Sequence, residues 1–186
     1  MPREFLLGGQ RSGKSRCAES RAAAWLALPG HSALLLATAL AGDDEMRARI
    51  ARHRVDRALR VPGLATVEVP RDLAPALRQH SSPRQLVVID CLTLWLTNLL
   101  MPLHGSPLDD ADLDAARGAF IDALRQASGP VVIVSNEIGL GVSPLGREAR
   151  HFVDELGRLH QLVAAACERV TWLVAGIEMP VKSVRP

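Results

Sequence analysis

Short runs of apolar residues recur along the chain and alternate with longer amphipathic segments. The runs cover residues 5–7, 33–37, 86–89, 131–134 and 170–175, and a weaker alternating run covers residues 65–69. Continuous apolar runs of this length are typical of strands that are buried on both faces. Because segments with helical spacing separate most of them, the pattern predicts a doubly wound α/β fold with a mainly parallel sheet.

In such a sheet, ligands bind where the strands end at the carboxyl edge. The loops that follow the predicted strands cover residues 8–15, 38–44, 90–93 and 135–143. Residues 101–114 contain two Pro, one Gly and four Asp, which predicts an exposed excursion, either a lid or a subunit contact, ending in a helix that starts near Asp112. We find no repeat and no linker, so residues 1–186 are expected to form one domain.

Composition and charge narrow the possible partners. The net charge is +2, with 22 Lys and Arg spread among 20 Asp and Glu, so no basic stripe for nucleic acid is indicated. The apolar run near the N-terminus is too short for a signal peptide or a membrane span. Cys17, Cys91 and Cys167 are too far apart for a zinc motif and odd in number. We therefore expect a cytoplasmic protein that binds a small molecule, with no nucleic acid and no membrane span.

The loop after the first predicted strand carries a phosphate-binding motif. It reads Gly8-Gly9-Gln10-Arg11-Ser12-Gly13-Lys14-Ser15. This segment satisfies GxxxxGK[ST], and a helix-compatible run follows it. Glycines let backbone N–H groups turn onto an anion, aided by the positive end of the following helix. Lys14 is predicted to reach the outer phosphates and Ser15 to bind Mg²⁺, whereas the alternative, a glycine-rich turn without phosphate, leaves the Lys-Ser pair unexplained.

Asp90 directly follows the apolar run at residues 86–89. Many phosphate-loop enzymes place a second metal-coordinating carboxylate at the end of such a strand. The alternative role for an Asp in this position is a turn or a helix cap. The phosphate loop upstream favours the metal-side role.

Residues 43–57 begin with acidic caps and contain no Gly or Pro, which predicts a helix. A stripe about 60° wide on this helix comprises Met46, Ile50, His53 and Arg57. An imidazole on such a stripe could attack phosphorus, and Arg54 and Arg57 could neutralise a triphosphate. From spacing alone, a surface histidine and arginines paired with nearby acids remain the simpler interpretation.

Further stretches of sequence resemble one family throughout. Besides the phosphate loop they are Ala37-Thr38, Asp44-Glu45-Met46, Arg49-Ile50, His53-Arg54, Asp90-Cys91, Thr97-Asn98-Leu99-Leu100 and Ser135-Asn136-Glu137-Ile138-Gly139-Leu140-Gly141-Val142, continued by Arg147, Arg150, Phe152, Asp154, Gly157 and Gln161. Together they resemble the bifunctional adenosylcobinamide kinase and adenosylcobinamide-phosphate guanylyltransferase family of cobalamin biosynthesis. The resemblance covers nearly the whole chain.

This resemblance implies a phosphate-loop core of the RecA type and a homotrimer. It implies phosphorylation of the aminopropanol hydroxyl of adenosylcobinamide, with GTP or ATP as donor, and then transfer of GMP from GTP to the product. The family's guanylylated histidine matches His53, which joins Lys14 and Asp90 as a catalytic residue. The implied nucleotide contacts are Gly8, Gly9, Gln10, Arg11, Ser12, Gly13, Lys14, Ser15, Thr38, Arg54, Val55, Asp56, Arg57, Glu68 and Asp90, with Ser15 and Asp90 also on Mg²⁺.

The chain departs from the family's pattern at two places. After Arg57 the family usually has Pro and a later Trp, whereas this chain has Ala58 and no Trp between Arg57 and Glu68. His160 stands where the family usually has Asn. Two other functions remain open from the sequence: a kinase of another small alcohol without guanylyl transfer, and a regulatory nucleotide-binding ATPase or GTPase.

Overall fold

The computed structural model describes residues 2–183, apart from the side chain of Arg49. The strands in this part of the chain are β1 (Glu4–Gly8), β2 (Ser32–Ala37), β3 (Leu64–Glu68), β4 (Gln85–Asp90), β5 (Val131–Asn136), β6 (Arg169–Val174) and β7 (Ile177–Lys182). The helices are α1 (Lys14–Leu26), α2 (Asp44–Arg60), α3 (Leu73–His80), α4 (Leu92–Leu100), α5 (Asp110–Gln126) and α6 (Arg147–Ala166).

The strands form one sheet in the order β3-β2-β4-β5-β1-β6-β7. Strands β1 to β6 pair in parallel, and β7 pairs antiparallel to β6. Each predicted apolar run lies on one of the six parallel strands. The predicted α/β fold with a mainly parallel sheet is therefore confirmed.

Two apolar layers cover the two faces of the sheet. Neighbouring residues on the central strands go to opposite layers, since side chains alternate along a strand. Phe5, Ile89 and Ile133 pack with α3 to α6, and Leu6 and Val134 pack with α1. Complete burial of such a side chain contributes about 1.5–3 kcal/mol. This packing makes the central strands a rigid support for the loops at their carboxyl ends.

Helix α2 is attached to the surface of the sheet and does not enter its core. The Asp43 side chain caps it by accepting from the Met46 backbone N–H at 2.7 Å. Among the side chains described on α2, four are half-buried and the others are exposed. The half-buried ones are Met46, Ile50, His53 and Arg57. The structure thus confirms both the helix and its inward stripe.

The structure differs from the sequence prediction in one additional strand and in the start of one helix. The antiparallel strand β7 was not expected, because Glu178 and Pro180 interrupt its apolar residues. All six of its residues are exposed, and its pairing with β6 contains a β-bulge between Val170 and Thr171. Helix α5 begins at Asp110, two residues before the predicted start, because the Asp109 side chain accepts from the Asp112 backbone N–H at 2.8 Å.

The excursion before α5 lies beside the loop that leads into α2. A Cβ added to Gly42 would meet the Leu103 side chain at 3.0 Å, so the two segments are in contact. Within the part of the chain that is described, no helix is long and apolar enough to cross a membrane. The cytoplasmic location stays a prediction.

Candidate active site

The phosphate-binding motif forms the turn between β1 and α1. Gly13 precedes α1 with φ of 102°, a left-handed conformation that favours glycine. None of the described side chains caps this end of α1. Its first backbone N–H groups are consequently free of side-chain competition at the end where the helix dipole is positive, which is the arrangement that binds phosphate.

Close neighbours fix the shape of this loop. A Cβ on Gly8 would lie 2.3 Å from the Leu173 carbonyl oxygen, so only glycine fits there. The Gly176 N–H donates to the Ser12 carbonyl at 3.0 Å, and the Glu137 N–H donates to the Gly8 carbonyl at 3.0 Å. The β6–β7 turn and the segment after β5 therefore hold the phosphate loop from two sides.

Lys14 is buried inside the loop that it belongs to. Its ammonium donates to the carbonyl oxygens of Gly8 at 2.9 Å and Gly9 at 2.6 Å. Burial lowers the pKa of Lys14, and the negative charge of Asp90 opposes this change. The lysine charge is thus held inside the phosphate loop, and its contact with the outer phosphates stays a prediction.

Asp90, at the end of β4, lies level with Leu6 on β1, just before the phosphate loop begins at Gly8. Asp90 is paired with Val134 on β5, and Val134 is paired with Leu6 on β1. Two strand spacings separate the backbones of β4 and β1, a distance of about 10 Å. Ala37 on β2 is paired with both Asp90 and Glu68, so Glu68 lies about 10 Å from Asp90 on the other side.

Thr38 fixes the chain immediately after Asp90. Its hydroxyl donates to the Cys91 carbonyl at 2.7 Å and accepts from the Cys91 N–H at 2.8 Å. Asn98 donates to the Thr38 carbonyl at 2.7 Å. Because Thr38 is fully buried and its hydroxyl makes both of these bonds, its position supports Asp90, and a nucleotide contact there would involve the neighbouring turn.

Helix α2 meets α1 through charged side chains. Glu19 lies on α1 one turn after Ser15, and the Nε atoms of Arg57 and Arg60 lie 3.8 and 3.3 Å from its two carboxylate oxygens. Burial lowers the pKa of Arg57, while Asp90 and Glu19 favour its charged form. His53 lies one turn before Arg57 on the same face of α2. Arg57, which belongs to the half-buried stripe, thus contacts the helix that begins in the phosphate loop.

A cavity of about 370 Å³ lies between α2 and β3. Its lining comprises Arg54, Arg57, Ala58, Leu64, Thr66 and Glu68. Arg54 forms an ion pair with Glu68, and Arg57 donates to the Thr66 hydroxyl at 3.4 Å. Three predicted nucleotide contacts, Arg54, Arg57 and Glu68, are therefore brought together, and Ala58, a departure from the family pattern, is beside them.

Two other predicted contacts lie outside this lining. Val55 is 61% exposed, and the Asp56 carboxylate lies 3.7 Å from an Arg60 nitrogen. The structure does not bring Val55 or Asp56 together with the cavity.

The oxygen atoms at the carboxyl edge of the sheet suit a small hard cation that is bound partly by a nucleotide, rather than one that protein ligands alone enclose. No cluster of three or more His, Cys, Asp or Glu suited to a metal occurs among residues 2–183. Ser15 and Asp90 offer a hydroxyl and a carboxylate, and both residues are half-buried. Mg²⁺ in nucleotide enzymes is usually bound by one or two protein oxygens together with phosphate oxygens and water. The donor set therefore fits Mg²⁺ bound with a nucleotide.

The segment after β5 continues the site. The Asn136 N–H donates to the Thr93 hydroxyl at 2.9 Å, and the Glu137 carboxylate accepts from the Gly139 N–H at 2.5 Å. His160 on α6 lies 2.8 Å from the Ser135 hydroxyl through Nε2 and 3.7 Å from Glu137 through Nδ1. Burial lowers the pKa of His160 to about 4, so this histidine is neutral at neutral pH. It supports the segment from inside the fold.

Sequence reasoning missed Glu19 as a member of this site. No motif contains it, and its partners on α2 are about forty positions away in the chain. The available signal was its position beside Cys17, Ala18 and Ala22, which are apolar residues buried on the same helix. A charged residue on such a face needs a partner.

These features define a phosphate-loop nucleotide-binding enzyme with a RecA-type sheet, in which β5 separates the loop strand β1 from the acidic strand β4. The flagellar accessory protein FlaH from Methanocaldococcus jannaschii shares the fold, with a TM-score of 0.54, 10% identity, and coverage of 98% of this chain and 78% of that chain. A family model described as cobinamide kinase / cobinamide phosphate guanyltransferase matches residues 4–181, and the chain belongs to this family.

Curated relatives agree with this assignment. The chain is 48% identical to a bifunctional adenosylcobalamin biosynthesis protein CobP of Pseudomonas aeruginosa, over 97% of each chain. It is 38% identical to the bifunctional adenosylcobalamin biosynthesis protein CobU of Escherichia coli, over 96% of this chain and 98% of the relative. The family resemblance inferred from the sequence motifs is confirmed.

Proposed function

We propose that this protein phosphorylates adenosylcobinamide on its aminopropanol hydroxyl and then transfers GMP from GTP to the product, giving adenosylcobinamide-GDP. The observation that carries the proposal is the placement of the half-buried face of α2, with His53 and Arg57, against the helix that begins in the phosphate loop. Family membership supports the substrate class. GTP, ATP or both serve as phosphate donor in the first step.

In the first step, the substrate hydroxyl attacks the γ-phosphorus in line with the departing nucleoside diphosphate. Backbone N–H groups of the loop and the Lys14 ammonium hold the phosphate oxygens and stabilise the charge that develops on them. Ser15 and Asp90 would hold Mg²⁺, which would supply positive charge that neutralises part of the phosphate charge. The loop's fixed backbone orients the donor, so positioning supplies much of the rate.

In the second step, an unprotonated imidazole nitrogen of His53 attacks the α-phosphorus of GTP. A P–N bond forms, the bond from the α-phosphorus to the bridging oxygen breaks, and pyrophosphate leaves with that electron pair. An oxygen of the substrate's new phosphate then attacks the same phosphorus and releases the histidine. Arg54 and Arg57, which pair with Glu68 and Glu19 in this structure, are the groups that would neutralise the nucleotide.

Incubation with GTP labelled at the α-phosphorus tests the proposal. We expect label on the protein that is labile to acid and stable to base, as a P–N bond is. His53→Ala should lose this label and the GDP-linked product, while phosphorylation of the alcohol partly persists. His151→Ala, which removes an exposed helical histidine on α6, is the matched control and should keep both activities.

Two outcomes would contradict the proposal. Wild-type protein that phosphorylates the alcohol but never carries label would be a kinase without guanylyl transfer. Acid-labile label that persists in His53→Ala would place the acceptor elsewhere.

We also infer that the protein assembles as a homotrimer, as family resemblance implies, and that it acts as one domain in the cytoplasm, as its sequence pattern predicts. Light scattering of the purified protein tests the trimer directly.

A further inference from the structure

Glu19 is a buried carboxylate in a charged contact between two helices. Its side chain is 7% exposed, and it lies on the face of α1 that also buries Cys17, Ala18 and Ala22. Burial raises the pKa of Glu19, and Arg60 and Arg57 oppose this change. Its Oε2 atom receives no hydrogen bond from any residue of the described chain. Both arginine contacts with this carboxylate are ionic, at 3.3 and 3.8 Å.

Among the described residues, ion pairs join α2 to the rest of the fold at two places, and this contact is one of them. Throughout the described side chains of α2 none is fully buried, so apolar packing does little to fix the helix. The other charged attachment, Arg54 with Glu68, joins side chains that are 56% and 60% exposed. Exposed ion pairs contribute little to stability because water and salt screen them. The buried Glu19 carboxylate is therefore the stronger charged attachment.

The spacing of Arg57 and Arg60 determines which side of α2 faces Glu19. Arg57 and Arg60 are three positions apart, so they project from neighbouring points on one side of α2. Two contacts on one carboxylate restrict rotation of the helix about its own axis. His53 precedes Arg57 by four positions and shares that side. On α1, Glu19 follows Ser15 by four positions, so the contact is beside the phosphate loop.

We propose that Glu19 is a positioning residue for guanylyl transfer, holding Arg57 and Arg60 so that His53 faces the phosphate loop. The inference rests on the proposed function. Glu19 acts through α2 and has no role as acid, base or ligand. Buried ion pairs of this kind add little net stability relative to apolar packing, so defined orientation is the gain that we assign to it.

Glu19→Gln tests this role, because glutamine keeps the size of the side chain and removes its charge. Two rates are measured on the same preparation: incorporation of GMP from α-labelled GTP into protein, and phosphorylation of adenosylcobinamide. We expect the labelling rate at saturating GTP to fall roughly tenfold to a hundredfold, as misplacement of a reacting group by about 1 Å does. Phosphorylation should change less than about threefold, since Lys14 and the loop are intact. Glu19→Asp should recover part of the labelling rate.

Glu4→Gln is the matched control. Glu4 is also a buried glutamate that pairs with an arginine of α1, Arg21 at 3.0 Å, but it lies at the opposite end of β1. This variant should change neither rate. Arg60→Gln, on the more exposed side of the contact, gives a second variant if Glu19→Gln fails to fold, and it should slow labelling in the same selective way.

Three results would overturn the inference. If Glu19→Gln, or Arg60→Gln when only that variant folds, is labelled at the wild-type rate, this inference is refuted and the proposed function is unaffected. An equal loss of the labelling and phosphorylation rates in a folded variant would show that the contact has a general structural role. Absence of label on the wild-type protein refutes the proposed function and this inference together.

Discussion

Replacing Lys14 by alanine should separate the catalytic role of this residue from its role in folding. The ammonium donates to the carbonyl oxygens of Gly8 and Gly9. Each carbonyl retains another donor after the substitution: the Glu137 N–H at 3.0 Å for Gly8, and the Ser12 N–H at 3.3 Å for Gly9. The substitution therefore leaves neither oxygen unsatisfied, which is the usual source of a large loss of stability.

Lys14→Ala should change the free energy of unfolding much less than it changes the activation free energy of phosphoryl transfer. Burial lowers the pKa of Lys14, so removal of the charged group relieves a desolvation cost that offsets part of the lost hydrogen bonding. We expect the free energy of unfolding to change by no more than about 1 kcal/mol. Loss of a buried cation that binds developing phosphate charge costs about 3–4 kcal/mol in the transition state, a fall in turnover of a hundredfold or more.

Urea denaturation and the rate of adenosylcobinamide phosphorylation measure the two quantities. Lys182→Ala is the matched control, because Lys182 also donates to backbone carbonyls, those of Ala164 at 2.8 Å and Cys167 at 2.6 Å, away from the loop. Lys182→Ala should keep its turnover. Near-normal turnover in Lys14→Ala would remove the phosphate-loop assignment. A destabilisation of several kcal/mol would show that the remaining donors do not compensate.

Two further predictions concern Asp90 at the end of β4 and His160 within α6. Asp90→Asn should reduce turnover across a Mg²⁺ titration more than it reduces stability, since it deletes the charge but keeps size and hydrogen bonding; unchanged activity at every Mg²⁺ concentration would contradict the metal-side role. Burial lowers the pKa of His160 from 6.5 to about 4, so between these values the unfolded chain binds more protons and stability falls as the pH falls. The loss should reach up to about 3 kcal/mol by pH 4 in urea titrations, and His160→Asn should show a shallower dependence. Equal slopes for the two proteins would refute this reasoning.

Local patterns predicted the parts of the fold that local interactions determine. Five of the six parallel strands follow from continuous apolar runs and β3 from a weaker alternating one, while α2 follows from its Asp43 cap and the absence of Gly and Pro. Strand β7 was missed because proline, here Pro180, is rare inside strands. It is tolerated in β7 because this strand lies at the edge of the sheet. Edge positions are set by the whole topology, which no short window of sequence contains.

The same distinction applies to the candidate site. The phosphate loop is one contiguous segment, so its sequence reveals both its shape and its ligand class. The contact of Glu19 with Arg57 joins two helices across a long separation in sequence, and the cavity beside Glu68 forms only when α2 lies on β3. Likewise, family resemblance matched Thr38 to a nucleotide contact, but the sequence did not reveal that its buried hydroxyl bonds to Cys91.

The exposed strand β7 affects how copies of this protein can associate. A strand added from a second chain would meet Pro180, which has no N–H to donate, and a neighbouring β-bulge that disturbs the edge. Charged Glu178 and Lys182 on the same strand further oppose edge-to-edge pairing. This edge is therefore protected against growth into a continuous intermolecular sheet, and hence against fibre formation. Contact between subunits at this edge would have to use side chains, of which Ile177, Met179 and Val181 are the exposed apolar ones.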